Sequence, residues 1–378
     1  MRLCFFGTYE VGEGYPINRV LLKGLQYSGV EVVECREEFW GGFLHEVFSG
    51  GGAIYLRLAG RALRRYPRLI WRYLRLGPHR AIIVGYFGYL DVVLVRLLNW
   101  RRRRPVILVS FISLYDTIVN DRQEWHMGSL KARLLKKMDR LAFRCADMVL
   151  VDTWEQATYY ADLFALPHEK FQRSFVGEDD DYFTVAEPKE QAREKFEVLF
   201  FGTYVPLHGI EVILEAAARL TDQKQVSFKL IGNGQLYAKL RRQAQEKQLD
   251  NVCFIDTWVA AEELLEHIRA ADVCLGIFGH TAKAGRVIPY KVFDALSQRR
   301  PVITRDSPAI RELLQDGETA LLCRPEGDEL ATAILRLRQN PSLAKRLAAN
   351  GYARYCQQGS PAAIGGALRR VMEERFAC

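Results

Sequence analysis

Apolar residues in this chain fall into two alternating patterns. Short, wholly apolar runs end on a glycine or a polar residue. Between them lie longer stretches whose apolar positions recur every three or four residues. The first pattern suits buried parallel strands and the second amphipathic helices. In the first half this predicts strands at Leu3–Phe6, Glu31–Cys35, Ala81–Val84, Val106–Ser110 and Met148–Asp152. Helices are expected near 17–28, 52–76, 90–100, 129–145 and 154–164. The second half predicts strands at 198–201, 227–231, 252–255, 272–277, 301–304 and 320–323. Helices are expected at 210–220, 235–248, 261–270, 290–298 and 308–315, then a long helical tail after 341. Regular strand–helix alternation with short connections makes a parallel sheet flanked by helices.

One segment occurs twice. Phe5-Phe6-Gly7-Thr8-Tyr9 returns 195 residues later as Phe200-Phe201-Gly202-Thr203-Tyr204. Each closes an apolar run, turns on glycine and enters a helical pattern, as the first strand, turn and helix of a doubly wound domain do. The expected fold class is therefore α/β, two Rossmann-like doubly wound parallel-sheet domains facing each other across a cleft. Gly177–Asp181 and Glu187-Pro188-Lys189-Glu190 read as the linker. Residues 1–183 form the first domain and 184–359 the second, with a final helix at about 360–378 packing back onto the first.

Composition narrows the class. Hydrophobic residues make up 49% of the 378, ordinary for a globular protein. The eight cysteines are scattered without a CxxC or His/Cys cluster, so buried reduced thiols, a cytoplasmic setting and no metal site are expected. No apolar run is long enough to span a bilayer. The net charge of +8 is concentrated: residues 57–104 hold 13 Arg and one acid, Asp91.

Within that segment Arg57, Arg61, Arg64, Arg68, Arg72 and Arg75 recur every three or four residues on one helix face. Leu56, Leu63, Ile70 and Tyr73 lie off it, with Trp71 and Leu74 nearby. Pro67 is expected to kink or split the helix. A basic amphipathic helix with aromatics suits an anionic membrane surface, here through Arg57–Arg104. A solvated face or a nucleic-acid surface would use the same charges, but no nucleic-acid motif accompanies them and no nucleic acid is expected as a partner.

The chemistry concentrates after the strand Val273–Ile277, where the loop from Phe278 to Pro289 leads into a helix containing Lys291 and Asp294. Carboxyl ends of strands in open α/β sheets bind ligands, and a helix N-terminus there favours anions. Lys283, Arg286 and Lys291 place three cations in nine positions, suited to a nucleotide diphosphate. Asp294, three residues after Lys291, would take ribose hydroxyls. A surface helix with a Lys/Asp pair is the alternative. Gly232-Asn233-Gly234 allows close backbone approach at the same edge, and Trp258 and Val259 follow the next strand.

Residues 198–355 resemble the donor-binding half of a family 4 (group 1) glycosyltransferase of the GT-B fold, bacterial branch. The resemblance rests on VLFFGTYVPLHGIEVILEAAARL, FKLIGNGQL, ADVCLGIF and KVFDALSQRRPVITRDSPAIRELLQDGETALLCRP, in order and spacing. The first half is similar more loosely, through ADMVLVDT and FVGEDDDYF. The resemblance implies transfer of a sugar from a nucleotide diphosphate-sugar (UDP- or GDP-linked) to an acceptor, with retention and without metal or other cofactor. A lipid-linked or envelope glycan as acceptor, and a cytoplasmic setting peripheral on the inner membrane face, are favoured only by the arginine segment.

The chain departs from the family at four positions. Two glutamates usual near the donor read Arg286 and Asp294, and a usual Arg and Lys after the first strand read Thr203 and His208. The resemblance then assigns Arg286, Lys291 and His208 to catalysis. Donor contacts fall to Gly202, Thr203, Gly232, Asn233, Gly234, Trp258, Val259, Lys283, Ile288, Pro289 and Asp294. Acceptor-side candidates are Glu10, Gly12, Gly14, Tyr15, Arg19, Asp116, Asp121 and His126. A non-catalytic nucleotide-sugar-binding partner and a nucleotide-sugar epimerase use the same fold and remain alternatives.

Overall fold

The computed structural model describes residues 1–12, 16–39, 52–179, 195–257 and 259–376, with backbone alone at 52–56. Gly14, Tyr15, Trp258 and much of the expected linker (180–194) lie outside the described residues.

Two six-stranded parallel sheets organise the chain, the α/β class expected from the apolar runs. The first contains β1 (Arg2–Gly7), β2 (Glu31–Arg36), β3 (Ala81–Val84), β4 (Val106–Val109), β5 (Met148–Val151) and β6 (Phe171–Arg173), ordered β2-β1-β3-β4-β5-β6. The second contains β7 (Phe196–Phe201), β8 (Val226–Ile231), β9 (Val252–Ile255), β10 (Val273–Leu275), β11 (Val302–Arg305) and β12 (Leu321–Cys323), ordered β12-β11-β10-β7-β8-β9. The repeated motif ends the interior strands β1 and β7. Leu3, Phe5, Phe6, Val198, Leu199 and Phe200 are essentially inaccessible on both faces, as strands covered by helices on both sides must be.

The tail after 341 is two helices, Pro341–Arg354 and Pro361–Phe376, joined by a π-turn at Tyr355–Gly359. The last helix lies against helix Pro16–Tyr27 of the first lobe. Gly24 and Gly365 allow this: a Cβ on Gly365 would stand 1.9 Å from the Gly24 carbonyl oxygen. Phe175 and Phe293, with ring centroids 6.0 Å apart, also join the lobes.

Several local readings need correction. Helix Gly52–Arg75 runs through Pro67 rather than splitting there. Pro67 and Leu63, whose carbonyl loses its partner, are both exposed, so water can satisfy that carbonyl. The helix expected at 308–315 ends at Arg311. A six-residue π-turn, Asp116–Asp121, and the edge strand β6 carry no periodic signal and were not anticipated. All described cysteines are free, but Cys253 and Cys356 are exposed rather than buried.

Candidate active site

The turn after β7 is built by two glycines in contact. Gly202 has φ +134°, and a Cβ on Gly232 would stand 2.1 Å from the Gly202 carbonyl oxygen. The Gly202 amide donates to Ile231 (2.9 Å) and the Tyr204 amide to Asn233 (2.9 Å). Gly202 and Gly232–Gly234 thus form one backbone surface at the carboxyl edge of the sheet. Thr203 and Asn233 are exposed on it, and Val259 is half-buried.

Lys291 faces this surface from helix Tyr290–Ser297. A Cβ on Gly202 would stand 2.9 Å from the Lys291 Nζ and 3.4 Å from the His208 Cε1. The ammonium lies 4.2 Å from the Phe200 ring centroid. It is buried and has no hydrogen-bond partner among the described residues. Burial pushes its pKa down to about 7, and Asp294 opposes that shift. The His208 Nδ1 hydrogen-bonds the Thr203 carbonyl. A carbonyl only accepts, so Nδ1 carries the proton and Nε2 is an acceptor. Burial first, then Lys291, holds the imidazole well below the usual histidine range, hence neutral.

Asp294 lies one turn behind Lys291 and hydrogen-bonds Glu178, which arrives from the end of the first lobe. Both are buried. Desolvation raises both; the charge and hydrogen bond of Glu178 raise Asp294 further, while the same bond favours the ionised Glu178, so the pair holds a proton on the Asp294 side. Asp179, the next residue, binds Arg19 (2.7 Å) and Lys23. Arg19 also donates to the carbonyls of Val11 (2.9 Å) and Gly12.

The other two loop cations point elsewhere. Arg286 donates to Asp116 (3.2 Å) and Gln156 (3.3 Å), and stacks on Tyr159 with its guanidinium carbon 3.6 Å from the ring centroid. Lys283 donates to Thr117 (2.8 Å) and lies 3.9 Å from Asp121. Burial lowers the Lys283 pKa and raises that of Asp121. The π-turn that holds Asp116 and Asp121 therefore clamps the donor-side loop to the first lobe. Asp152 and Thr153, after β5, extend the clamp: Asp152 accepts the Ile288 amide and Thr153 donates to the Arg286 carbonyl. Ile288 is buried, and Pro289 stands at the cap of the following helix.

The structure thus brings together Gly202, His208, Lys291 and Asp294. It brings Lys283 and Arg286 to Asp116 and Asp121 instead. Glu10 is half-buried, while Gly12 and His126 are exposed. Sequence reasoning missed Glu178, Thr117, Asp152 and Phe200. Glu178 sat in an acidic run that reads as solvated linker, and Phe200 reads only as core. A cavity of about 650 Å³ lies apart from the cluster and is lined by Glu215, Arg219, His280 and Asp328 among others. Among the described residues no cluster of His, Cys, Asp or Glu is arranged to hold a metal.

In the first lobe the equivalent turn is filled from within. Gly7 has φ +130°, and a Cβ there would stand 2.6 Å from the Asp91 Oδ2. That carboxylate accepts from the Thr8 amide (2.6 Å) and hydroxyl (2.9 Å). One glycine turn faces a carboxylate, the other an ammonium.

Residues 195–340 match the family model described as Glycosyl transferases group 1. Alpha-D-kanosaminyltransferase of Streptomyces kanamyceticus is 25% identical over 252 residues, 64% of each chain. The match spans between about half and two thirds of the length of such curated relatives. Sucrose-phosphate synthase of Thermosynechococcus elongatus superposes with a TM-score of 0.71 at 16% identity, covering 100% of this chain and 99% of that one. Anabaena Alr3699/HepE in complex with UDP and glucose superposes at 0.67 with 17% identity, covering 99% and 100%. Residues 195–340 are thus similar to the group 1 glycosyltransferases, and the two parallel sheets of the chain share the GT-B fold of the solved neighbours.

Proposed function

We propose that this protein transfers a sugar from a nucleotide diphosphate-sugar to a glycan or lipid-linked acceptor. The observation that carries the reading is the Lys291 ammonium: buried, without a hydrogen-bond partner, and set against the Gly202 turn. A cation desolvated in that way is destabilised until an anion arrives. A diphosphate supplies the anion, and fixed positive charge lowers the barrier to its departure from the anomeric carbon. Asp294 takes the ribose hydroxyls as acceptor or donor according to where the shared proton lies. The neutral His208 offers Nε2 to a sugar hydroxyl. Lys283 and Arg286 hold the acceptor-side turn against the donor loop through Asp121, Thr117 and Asp116.

UDP is the first base to test, because the Anabaena neighbour's structure holds UDP and glucose. Retention and metal independence follow the family resemblance: the leaving phosphate itself helps deprotonate the acceptor, so no separate base is needed. An envelope or lipid-linked acceptor places the work at the inner face of a membrane. One feature favours a second reading, a nucleotide-sugar-binding partner without turnover. Arg286 stands where the family usually has glutamate, and it is engaged by Asp116.

Incubation with UDP-glucose and GDP-mannose, with and without lipid and glycan extracts, separates the two. Acceptor-dependent release of nucleoside diphosphate and a glycosylated product support the transferase. Saturable nucleotide binding with an intact donor under every condition supports the partner.

A further inference from the structure

Exposed large hydrophobic residues are confined to one lobe. Ten of the twelve found among the described residues lie between Leu63 and Leu141, and none lies beyond Trp154. They sit on helix Gly52–Arg75, helix Tyr89–Leu98 with the Trp100 that follows, and helix Leu130–Cys145 with the turn before it. These helices pack side by side on one face of the first sheet. Their inner residues Leu69, Tyr73, Val92, Val95, Ala142 and Phe143 share a single core cluster. Tyr66 of the first helix donates to Asp91 of the second (2.9 Å), and the second contacts the third.

The outer surface has a consistent order. Arg61 donates to the Phe39 carbonyl (2.9 Å), while Arg65 and Arg72 pair with Glu37 (3.2 and 3.0 Å). These three turn to the sheet's edge and leave the outward stripe that the spacing alone assigned to Arg61 and Arg72. At about 3.6 residues per turn, Leu63 and Leu74 fall on the opposite flank and Trp71 lies between that flank and the outermost ridge. Arg57, Arg64, Arg68 and Arg75 form the outermost ridge, all exposed. Arg75 lies over Trp71 (4.0 Å to the ring centroid) and Arg101 over Trp100 (5.3 Å). The third helix, which the sequence reading did not connect with this surface, adds exposed Leu130, Leu134 and Leu141 beside Lys131, Arg133 and Arg140.

Charge of the other sign is nearly absent. Residues 52–145 contain 20 Lys and Arg against five acids, and four of those acids (Asp91, Asp116, Asp121 and Asp139) are buried. A solvated face has no use for two exposed tryptophans and a row of exposed leucines beside such charge. Backbone phosphates of a nucleic acid would reward the arginines but not the leucines. An anionic bilayer rewards both: headgroups neutralise the arginines, Trp rings sit at the interface, and aliphatic side chains reach the acyl boundary.

We propose that the outer face of these three helices rests on an anionic lipid leaflet as a single docking surface. This deepens the reading of a lipid-linked or envelope acceptor and rests on it for its biological sense, but its physical basis is independent. No helix among the described residues is long and apolar enough to cross a membrane, so attachment is to the surface.

The test is flotation of the full chain with vesicles of phosphatidylcholine alone and of phosphatidylcholine with phosphatidylglycerol. The expected result is binding to the anionic vesicles only, with a blue shift of tryptophan emission. Arg64→Gln with Arg68→Gln should weaken it about 30-fold. Trp71→Ser with Trp100→Ser should weaken it about tenfold or more and reduce the blue shift. No binding to anionic vesicles at low salt overturns the proposal. So does vesicle binding that the arginine pair weakens and the tryptophan pair leaves unchanged, or binding of an RNA homopolymer in preference to vesicles. UDP titration of the same preparations isolates the site reading: vesicle binding without nucleotide binding leaves this surface standing and removes the transferase assignment.

Discussion

Lys291 and Gly202 compete for one space, because a Cβ on Gly202 would stand 2.9 Å from the Lys291 Nζ. Gly202→Ala is expected to cost roughly 1–3 kcal/mol of stability, since φ +134° is strained for any L side chain. It should also displace the ammonium and weaken nucleotide binding. Thermal denaturation and UDP titration of the variant check both effects.

The depressed Lys291 pKa fixes a pH dependence. Between about 7 and about 10 the unfolded chain binds a proton at this lysine that the folded chain does not. Stability from this group therefore rises with pH across that window and is lost as pH falls through it, nearly completely by about 7. Lys291→Met should be more stable than the parent at pH 6–7, by more than about 1 kcal/mol. The advantage should vanish toward pH 10. Urea denaturation at pH 6, 8 and 10 measures it, and a difference that stays constant with pH contradicts the assignment.

The same group predicts proton uptake. A bound diphosphate favours the ammonium, so nucleotide binding at pH 8 should draw a proton from the buffer, and affinity should fall as pH rises above about 7. Calorimetry in two buffers of unlike ionisation enthalpy reads this directly.

Arg286, half-buried, and Asp116, buried, form an ion pair between the lobes. Removing one partner leaves the other charge unpaired, at roughly 3–5 kcal/mol where that charge is buried. Asp116→Ala and Arg286→Ala should each destabilise the protein without nucleotide present. The double variant should lose markedly less than the sum, as a double-mutant cycle reports. Arg286→Lys should not restore stability, because the Gln156 contact and the stacking on Tyr159 need a planar guanidinium.

What was legible in the sequence follows the range of the physics. Apolar runs such as VLFF mark buried strands because burial on both faces is a local compositional demand. The repeated glycine turn is legible because φ near +130° is met by glycine and little else. Lys291 and Asp294 are readable together because helical periodicity puts them on one face. Glu178 is not readable, because its burial depends on Asp294 and on the packing of Gly177 against Gly359 and Ile364. Arg286 and Asp116, 170 residues apart, read as phosphate and acceptor ligands when taken separately. Only the folded chain pairs them.

The central claim is that Lys291 holds a nucleotide diphosphate at the Gly202 turn. Titrating UDP and GDP into the parent and into Lys291→Met at pH 7, with donor turnover on the same samples, tests it most directly. The account predicts saturable binding by the parent, sharply weaker binding by the variant, and turnover reduced on the order of 100-fold or more. Equal affinity and equal turnover in the two proteins would contradict it.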